Sequence, residues 1–501
     1  MTSSLADGFT EHARSRPAAP ALIWQAEPIS YGELDEMRTS AGADLARLDL
    51  PLDRPVGIRA KKSPEAIALV LACLTARRPF LLPSIELASD TLEALFAQAG
   101  ASRVLTPDLQ PDGSVGVQAA EVADDGVCEW PPASTDVSFM LTTSGSTGLP
   151  KIVPLAPGAV EHFIAWAAER FDIRPGATVA NYAPLNFDLC LLDIWTTLTC
   201  GGCVALVDQD RATNGGYLAA LLADHEVNVV QAVPMLYRLL IDVAREDGRT
   251  FPDVRHVLTT GDKMPASTLR ELPGLFPNAR FYNIYGCTET NDSLMHELLL
   301  NDGEVPANIP IGQPLPDVDA RIQTEDGEVV EGDGVGELLV WTPFQTQGYL
   351  KSALNDGKFA TYPNAAGDDR RYFRTGDIVR RHEDGSITLE GRSDFYVKVR
   401  GARVSTQVVE QAIQEHPDVI EVAVVAVPDE LAGARLHALV RREPDSKLNS
   451  LSLRKHCTSR LARTEMPSSI EIETDPLPKT STGKIDRKRC LPREQGAQAN
   501  G

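Results

Sequence analysis

The sequence predicts an α/β protein with a large multi-sheet body and a smaller α+β domain behind it. Three observations predict this. Short apolar β-type runs alternate with longer amphipathic stretches over several hundred residues, the pattern of parallel strands joined by helices. Near Gly391-Arg392-Ser393-Asp394 the alternation gives way to a set of elements about a hundred residues long. The charge changes at the same place: residues 394–501 hold 17 Lys and Arg against 15 Asp and Glu, whereas the first 393 residues hold 31 against 55. The expected division is therefore 1–393 and 394–501.

The elements follow from local patterning. Residues 55–59 read as a strand, 64–76 as a helix, 91–99 as a helix and 103–106 as a strand. Residues 111–135 are rich in Asp, Gly and Pro and read as a connection. Further on, 215–225 is helical, 227–233 a strand and 235–246 helical. Beyond the break come a helix at 407–415, strands at 419–427 and 436–441, and a helix at 451–461.

The composition excludes several classes. The chain of 501 residues is 43% hydrophobic and 24% charged, ordinary for a globular protein. Its longest apolar run, residues 66–74, is far short of the roughly 20 needed to span a membrane. Residues 1–17 carry Asp7, Glu11, Arg14 and Arg16 and have no apolar core, so no secretory signal is expected and a cytoplasmic protein is. A net charge of -22 argues against a nucleic-acid partner. Cys200-Gly-Gly-Cys203 has no second pair at zinc spacing and reads as ordinary thiols at a strand start.

The strongest local feature is Leu141-Thr142-Thr143-Ser144-Gly145-Ser146-Thr147-Gly148-Leu149-Pro150-Lys151. Glycines let backbone N–H groups approach an anion, and the hydroxyls and Lys151 add donors, which is what a triphosphate requires. The spacing is not that of a Walker A loop. This loop resembles the phosphate-binding loop of the adenylate-forming superfamily: acyl-CoA ligases, luciferases and amino-acid adenylation domains. Other segments resemble that family's motifs in order: Asn283-Ile284-Tyr285-Gly286-Cys287-Thr288-Glu289, Thr375-Gly376-Asp377, Gly391-Arg392-Ser393-Asp394 with residues 397–404, and residues 478–487 around Lys484. Ile152 and Ser405 depart from the family pattern, where glycine and glutamate are usual.

The resemblance implies the adenylate-forming fold, with a mobile C-terminal domain turning about a hinge at Asp394. It implies ATP and Mg2+ as cofactors. Thr143, Ser144, Gly145, Ser146, Thr147, Gly148 and Lys151 would take the phosphates. Gly261, Asp262, Asn283, Tyr285 and Gly286 would border the adenine, Thr288 would donate to a phosphate oxygen, and Asp377 and Arg392 would hold the ribose. Glu289 would hold the metal, and Lys484 would be the catalytic lysine bridging the carboxylate and the α-phosphate.

Asp188, within Phe187-Asp188-Leu189, resembles the ammonium-binding aspartate of amino-acid adenylation domains. The matching pocket positions are Leu189, Leu192, Gln231, Leu258, Thr260, Ile284, Asp292 and Ser293. Asp292 adds a second candidate ammonium partner and leaves both α- and β-amino acids open. The expected activity is that of a stand-alone enzyme. It forms an aminoacyl adenylate and passes the acyl group to the phosphopantetheine thiol of a separate carrier protein. The alternative is an acyl-CoA ligase for an acid without an amine.

Overall fold

The computed structural model describes residues 5–51, 53–122, 128–129, 137–143, 149–300, 308–364, 366–393, 396–399, 402–429, 433–479 and 485–492. The chain forms two compact units. The first comprises Met1–Ala320 and Leu339–Arg374, and the second comprises Arg321–Leu338 and Thr375–Gly501.

The strands of the first unit are β1 (Pro20–Trp24), β2 (Glu27–Ser30), β3 (Val56–Ile58), β4 (Phe80–Leu81), β5 (Val104–Leu109), β6 (Val115–Ala120), β7 (Phe139–Thr143), β8 (Lys151–Leu155), β9 (Thr178–Asn181), β10 (Cys203–Leu206), β11 (Val229–Ala232), β12 (His256–Thr259), β13 (Arg280–Cys287), β14 (Asn291–Leu298) and β15 (Gln313–Pro314). Nine form one sheet in the order β15-β14-β13-β12-β11-β9-β10-β1-β2, and six form another in the order β6-β5-β3-β4-β7-β8. In the large sheet the run from β13 to β1 is parallel, and β14, β15 and β2 add antiparallel edges. Central parallel strands are covered on both faces, so β10 and β11 are buried at every residue; β10 is apolar throughout, and β11 is apolar but for Gln231.

Helix ends follow local chemistry. The helix Pro64–Thr75 starts with Ser63 accepting the Ala66 N–H and with Pro64 in its first turn. Nine of its residues are buried, so it is a core helix rather than an amphipathic surface one. The helix Pro234–Asp247 again opens on proline, and it ends at Gly248, whose φ of 73° is the left-handed conformation glycine adopts without strain. The segment 111–135 departs from the expected plain connection: residues 115–120 pair with β5 as an antiparallel edge. The strand is buried only at Val115 and opens to solvent over residues 118–120.

The second unit contains a three-stranded sheet of Val419–Asp429, Gly433–Arg442 and Ser469–Glu473, packed on the helices Thr406–Gln414 and Ser450–Thr458. The consecutive cations Arg487, Lys488 and Arg489 read in sequence as a solvated basic face. Arg487 instead makes a paired ion contact with Glu410, at 2.7 and 3.1 Å, because the short 3₁₀ turn Arg487–Cys490 aims it at that helix.

Tyr237 ties the large sheet to the helix beneath it. Its buried hydroxyl lies 2.7 Å from the Leu258 carbonyl and 3.2 Å from that of Val230, bridging β12 and β11. Tyr237→Phe removes this donor without changing shape. The expected loss is roughly 1 kcal/mol, read as a lower denaturant midpoint.

Candidate active site

The hairpin of β7 and β8 places Thr143 directly opposite Lys151. Residues 144–148, which hold the other phosphate-loop candidates, lie outside the described residues. The Lys151 ammonium sits 4.7 Å from the centre of the Tyr349 ring, and the Tyr349 hydroxyl donates to Glu289 Oε1 at 2.6 Å. Lys151, Tyr349 and Glu289 thus form one cluster. Tyr349 was not a sequence candidate, because its role appears only through this contact. Thr288 and Glu289 lie in the tight turn between β13 and β14, which the Thr290 N–H closes on the Cys287 carbonyl.

Gly286 in that segment admits no side chain. A Cβ there would stand 2.2 Å from the Asn291 carbonyl oxygen. Asn283 is fixed by donating to the Pro310 carbonyl, and Gly261, with φ 79°, turns the chain after Thr260. Asp262 is exposed and takes the Lys263 N–H. Glu289 suits Mg2+. It is a buried hard-oxygen donor, and the described residues hold no group of three His, Cys, Asp or Glu able to cage a metal. One carboxylate is enough for an ion that keeps its waters and substrate phosphates.

In the second unit, Asp377 is buried and accepts from Arg392 Nη1 at 2.8 Å. Thr375 donates to the Leu338 carbonyl, and the Gly376 N–H reaches Glu337. Together they hold the Thr-Gly-Asp turn that orients Asp377. Asp394 and Lys484 lie outside the described residues. The segment holding Lys484 is bracketed by a bridge between Lys479 and Ile485, a Lys479–Glu421 ion pair and the Arg487–Glu410 pair.

The substrate-pocket candidates come together at the carboxyl ends of β11, β12 and β13. Gln231 pairs in register with Leu258, and Leu258 with Tyr282. Alternation puts Thr260, Ile284 and Gly286 on that same face. Asp292 pairs with Gly286 and shares the face. Leu192, Leu258, Ile284 and Ser293 are buried; Leu189 is half-buried. Asp188 is half-buried and its Oδ1 takes the Leu189 N–H at 3.0 Å, just before a π-helical stretch, Leu191–Thr196. Such wide turns are rare and concentrate at functional sites.

Behind this wall runs a buried network that the sequence reading did not assign. Lys62, only 4% exposed, donates to the Asn181 carbonyl and side-chain oxygens at 2.9 and 2.8 Å, and to the Ala183 carbonyl at 2.9 Å. Asn181 donates to Asp193 Oδ2. Gln231 donates to Asp193 Oδ1 and to the Leu189 carbonyl. Burial lowers the Lys62 ammonium to about 7 and raises the Asp193 carboxyl well above the carboxylate range. The one signal in the sequence is a second lysine, after Lys61, at the mouth of an apolar helix.

Asp292 is 8% exposed, and no hydrogen bond or ion pair from a described residue reaches its carboxylate. Burial, and then the Asp188 charge, push it up to about 8.

The description "AMP-binding enzyme" matches residues 9–350, and "AMP-binding enzyme C-terminal domain" matches residues 408–484. The chain belongs to the AMP-binding enzyme family. It is 29% identical to an L-proline–[L-prolyl-carrier protein] ligase of Pseudomonas fluorescens, over 95% of this chain and 96% of that protein. It is 26% identical to a D-alanine–D-alanyl carrier protein ligase of Bacillus licheniformis, over 97% and 98%. Among solved structures, the o-succinylbenzoate CoA synthetase of Bacillus subtilis bound to its acyl-adenylate shares the fold. The TM-score is 0.80 at 20% identity, over 97% of this chain and 98% of that one.

The raised Asp292 group has a consequence for stability. Between its ordinary 3.8 and about 8 the native state keeps a proton that the unfolded state has released. Stability therefore falls as pH rises through that window, by about 1.4 kcal/mol per unit at most. Asp292→Asn removes this slope. The variant's melting temperature should exceed the parent's by a margin that widens from pH 5 to pH 8.

Proposed function

We propose that this protein activates an amino acid with ATP and passes the aminoacyl group to the phosphopantetheine thiol of a separate carrier protein, in the cytoplasm. The observation that carries the reading is the half-buried Asp188 carboxylate beside an apolar pocket, where a substrate ammonium is its natural partner. Relatives aligned over nearly their whole length are carrier protein ligases, which supports the same acceptor.

The substrate carboxylate oxygen attacks the α-phosphorus of ATP. The new P–O bond forms as the bond to pyrophosphate breaks. Two anions must meet, so positive charge is required at the reacting centre. Lys484 supplies it by spanning the incoming carboxylate and the α-phosphate, and Lys151 by facing the departing phosphates. Glu289 would hold Mg2+, which would supply neutralisation of phosphate charge there. Asp188 anchors the ammonium and so aims the carboxylate, while Tyr285 covers the adenine and Asp377 with Arg392 holds the ribose. In the second half-reaction the thiol sulfur attacks the acyl carbon and AMP leaves. A turn of the C-terminal domain about Asp394 withdraws Lys484 and clears the path for the carrier arm, a known way of ordering two reactions at one centre.

Two measurements test this. Asp188→Ala should abolish amino-acid-dependent pyrophosphate exchange in a folded protein, since losing one partner of a buried ion pair costs roughly 3–5 kcal/mol; unchanged affinity for the amino acid would remove Asp188 as the anchor. Lys484→Ala should slow adenylation about 10²–10³-fold and spare thioester transfer from preformed adenylate. Equal losses in both steps would make the lysine structural, and efficient transfer to free CoA with no preference for a carrier would overturn the acceptor.

A further inference from the structure

The pocket holds more acceptor than one ammonium uses. Asp188 already has a role as the anchor of the substrate amine, on the reading above. Asp292 lies on the same face as Ile284, opposite a glycine that cannot cover it. Its carboxylate is reached by no donor among the described residues. Gln231 repeats the pattern. Its Nε2 is spent on Asp193 and on the Leu189 carbonyl, and its Oε1 is buried with no hydrogen-bond partner. Asp292 and Gln231 therefore present oxygen acceptors and no donor.

Buried acceptors without donors are costly, and a buried carboxylate without a cation more so. Lys62 does not serve Asp292: its donors are spent on residues 181–183. Nor does a metal suit the place, since the described residues offer no three-ligand group. What answers the Asp292 carboxylate is an organic cation with N–H donors.

We propose that Asp292 recognises a second amino group on the substrate, so that the acid activated is a diamino acid. This rests on the amino-acid ligase reading and names its substrate class. The first ammonium meets Asp188, and the second reaches Asp292 and gives that buried carboxylate a counter-charge. The Asp292 group, held near 8 without a cation by burial and by Asp188, gives up its proton when an ammonium arrives.

The test is pyrophosphate exchange with 2,4-diaminobutyrate, ornithine and lysine, each beside its monoamino counterpart: 2-aminobutyrate, norvaline and norleucine. The panel also includes 3-aminobutyrate and the amine-free acid valerate. One diamino acid should exceed its counterpart by about 100-fold or more in kcat/KM, the loss typical of an unpaired buried charge. Asp292→Asn, shown folded by its melting curve, should collapse that ratio towards one, and Asp292→Glu should restore part of it. Asp188→Ala should instead weaken diamino and monoamino acids alike. Preference for a monoamino α- or β-amino acid, or a ratio unchanged in Asp292→Asn, overturns the inference and leaves the ligase reading intact. Exchange with valerate alone overturns the ligase reading itself.

Discussion

A buried lysine sets the geometry on which the substrate pocket depends. The Lys62 ammonium has almost no access to water and takes hydrogen bonds to three consecutive carbonyls, those of Asn181, Tyr182 and Ala183. Those carbonyls lie at and beyond the end of β9. The Asn181 carbonyl also takes the Val207 N–H and that of Tyr182 the Gln209 Nε2, so the cation adds a second donor to each and gathers the Ala183 carbonyl with them. With it, the chain runs on a fixed course into the Asp188 turn. Asn181 and Gln231 then share the Asp193 carboxylate, linking that turn to the next strand of the sheet. The π-helical widening at Leu191–Thr196, where the Thr196 hydroxyl returns to the Leu191 carbonyl, belongs to the same arrangement. The widening accompanies the inward turn of Asp193.

Satisfied and unsatisfied polar groups are segregated across this wall. Behind it, the described donors and acceptors of Lys62, Asn181 and Asp193 find one another. In front of it, Asp292 and the Gln231 oxygen do not. Folding tolerates a few such groups where ligand binding completes them, and the stability given up in the free protein reappears as affinity and selectivity. The apolar residues around them, Leu192, Leu258 and Ile284, lower the local dielectric and so sharpen that selectivity.

Much of the fold was legible because apolar periodicity is local. Residues 64–76, 215–225 and 235–246 became the helices Pro64–Thr75, Gly215–Asp224 and Pro234–Asp247. The edge strand at 115–120 was not, because Pro111, Asp112 and Gly113 before it and Asp124, Asp125 and Gly126 after it mark the whole segment as a connection. Within the site, Asp188, Gln231 and Leu258 were named through resemblance to a subfamily's pocket positions, and strand register sets Gln231 beside Leu258. Lys62 escaped because its partners are mostly backbone oxygens about 120 residues away, and no side-chain pattern encodes those. Tyr349 escaped for a similar reason: a tyrosine sixty residues from Glu289 carries no mark until the chain brings its hydroxyl there. Arg487 looked like one of three surface cations until Glu410 appeared on the facing helix.

The second compact unit draws on two stretches of chain, and this bears on how such enzymes can be recombined. Thr375 and Gly376, which position Asp377, are held by Leu338 and Glu337 from the earlier stretch, Arg321–Leu338. A transplant that exchanges only the tail after residue 393 with that of another enzyme leaves this support native. A cut after residue 374 that carries the Thr-Gly-Asp turn to a foreign host would part the turn from its buttress, and the Asp377 carboxylate with it. Workable crossover points in chimeras of this chain are therefore set by who holds Asp377, and not by where the amino-acid composition changes.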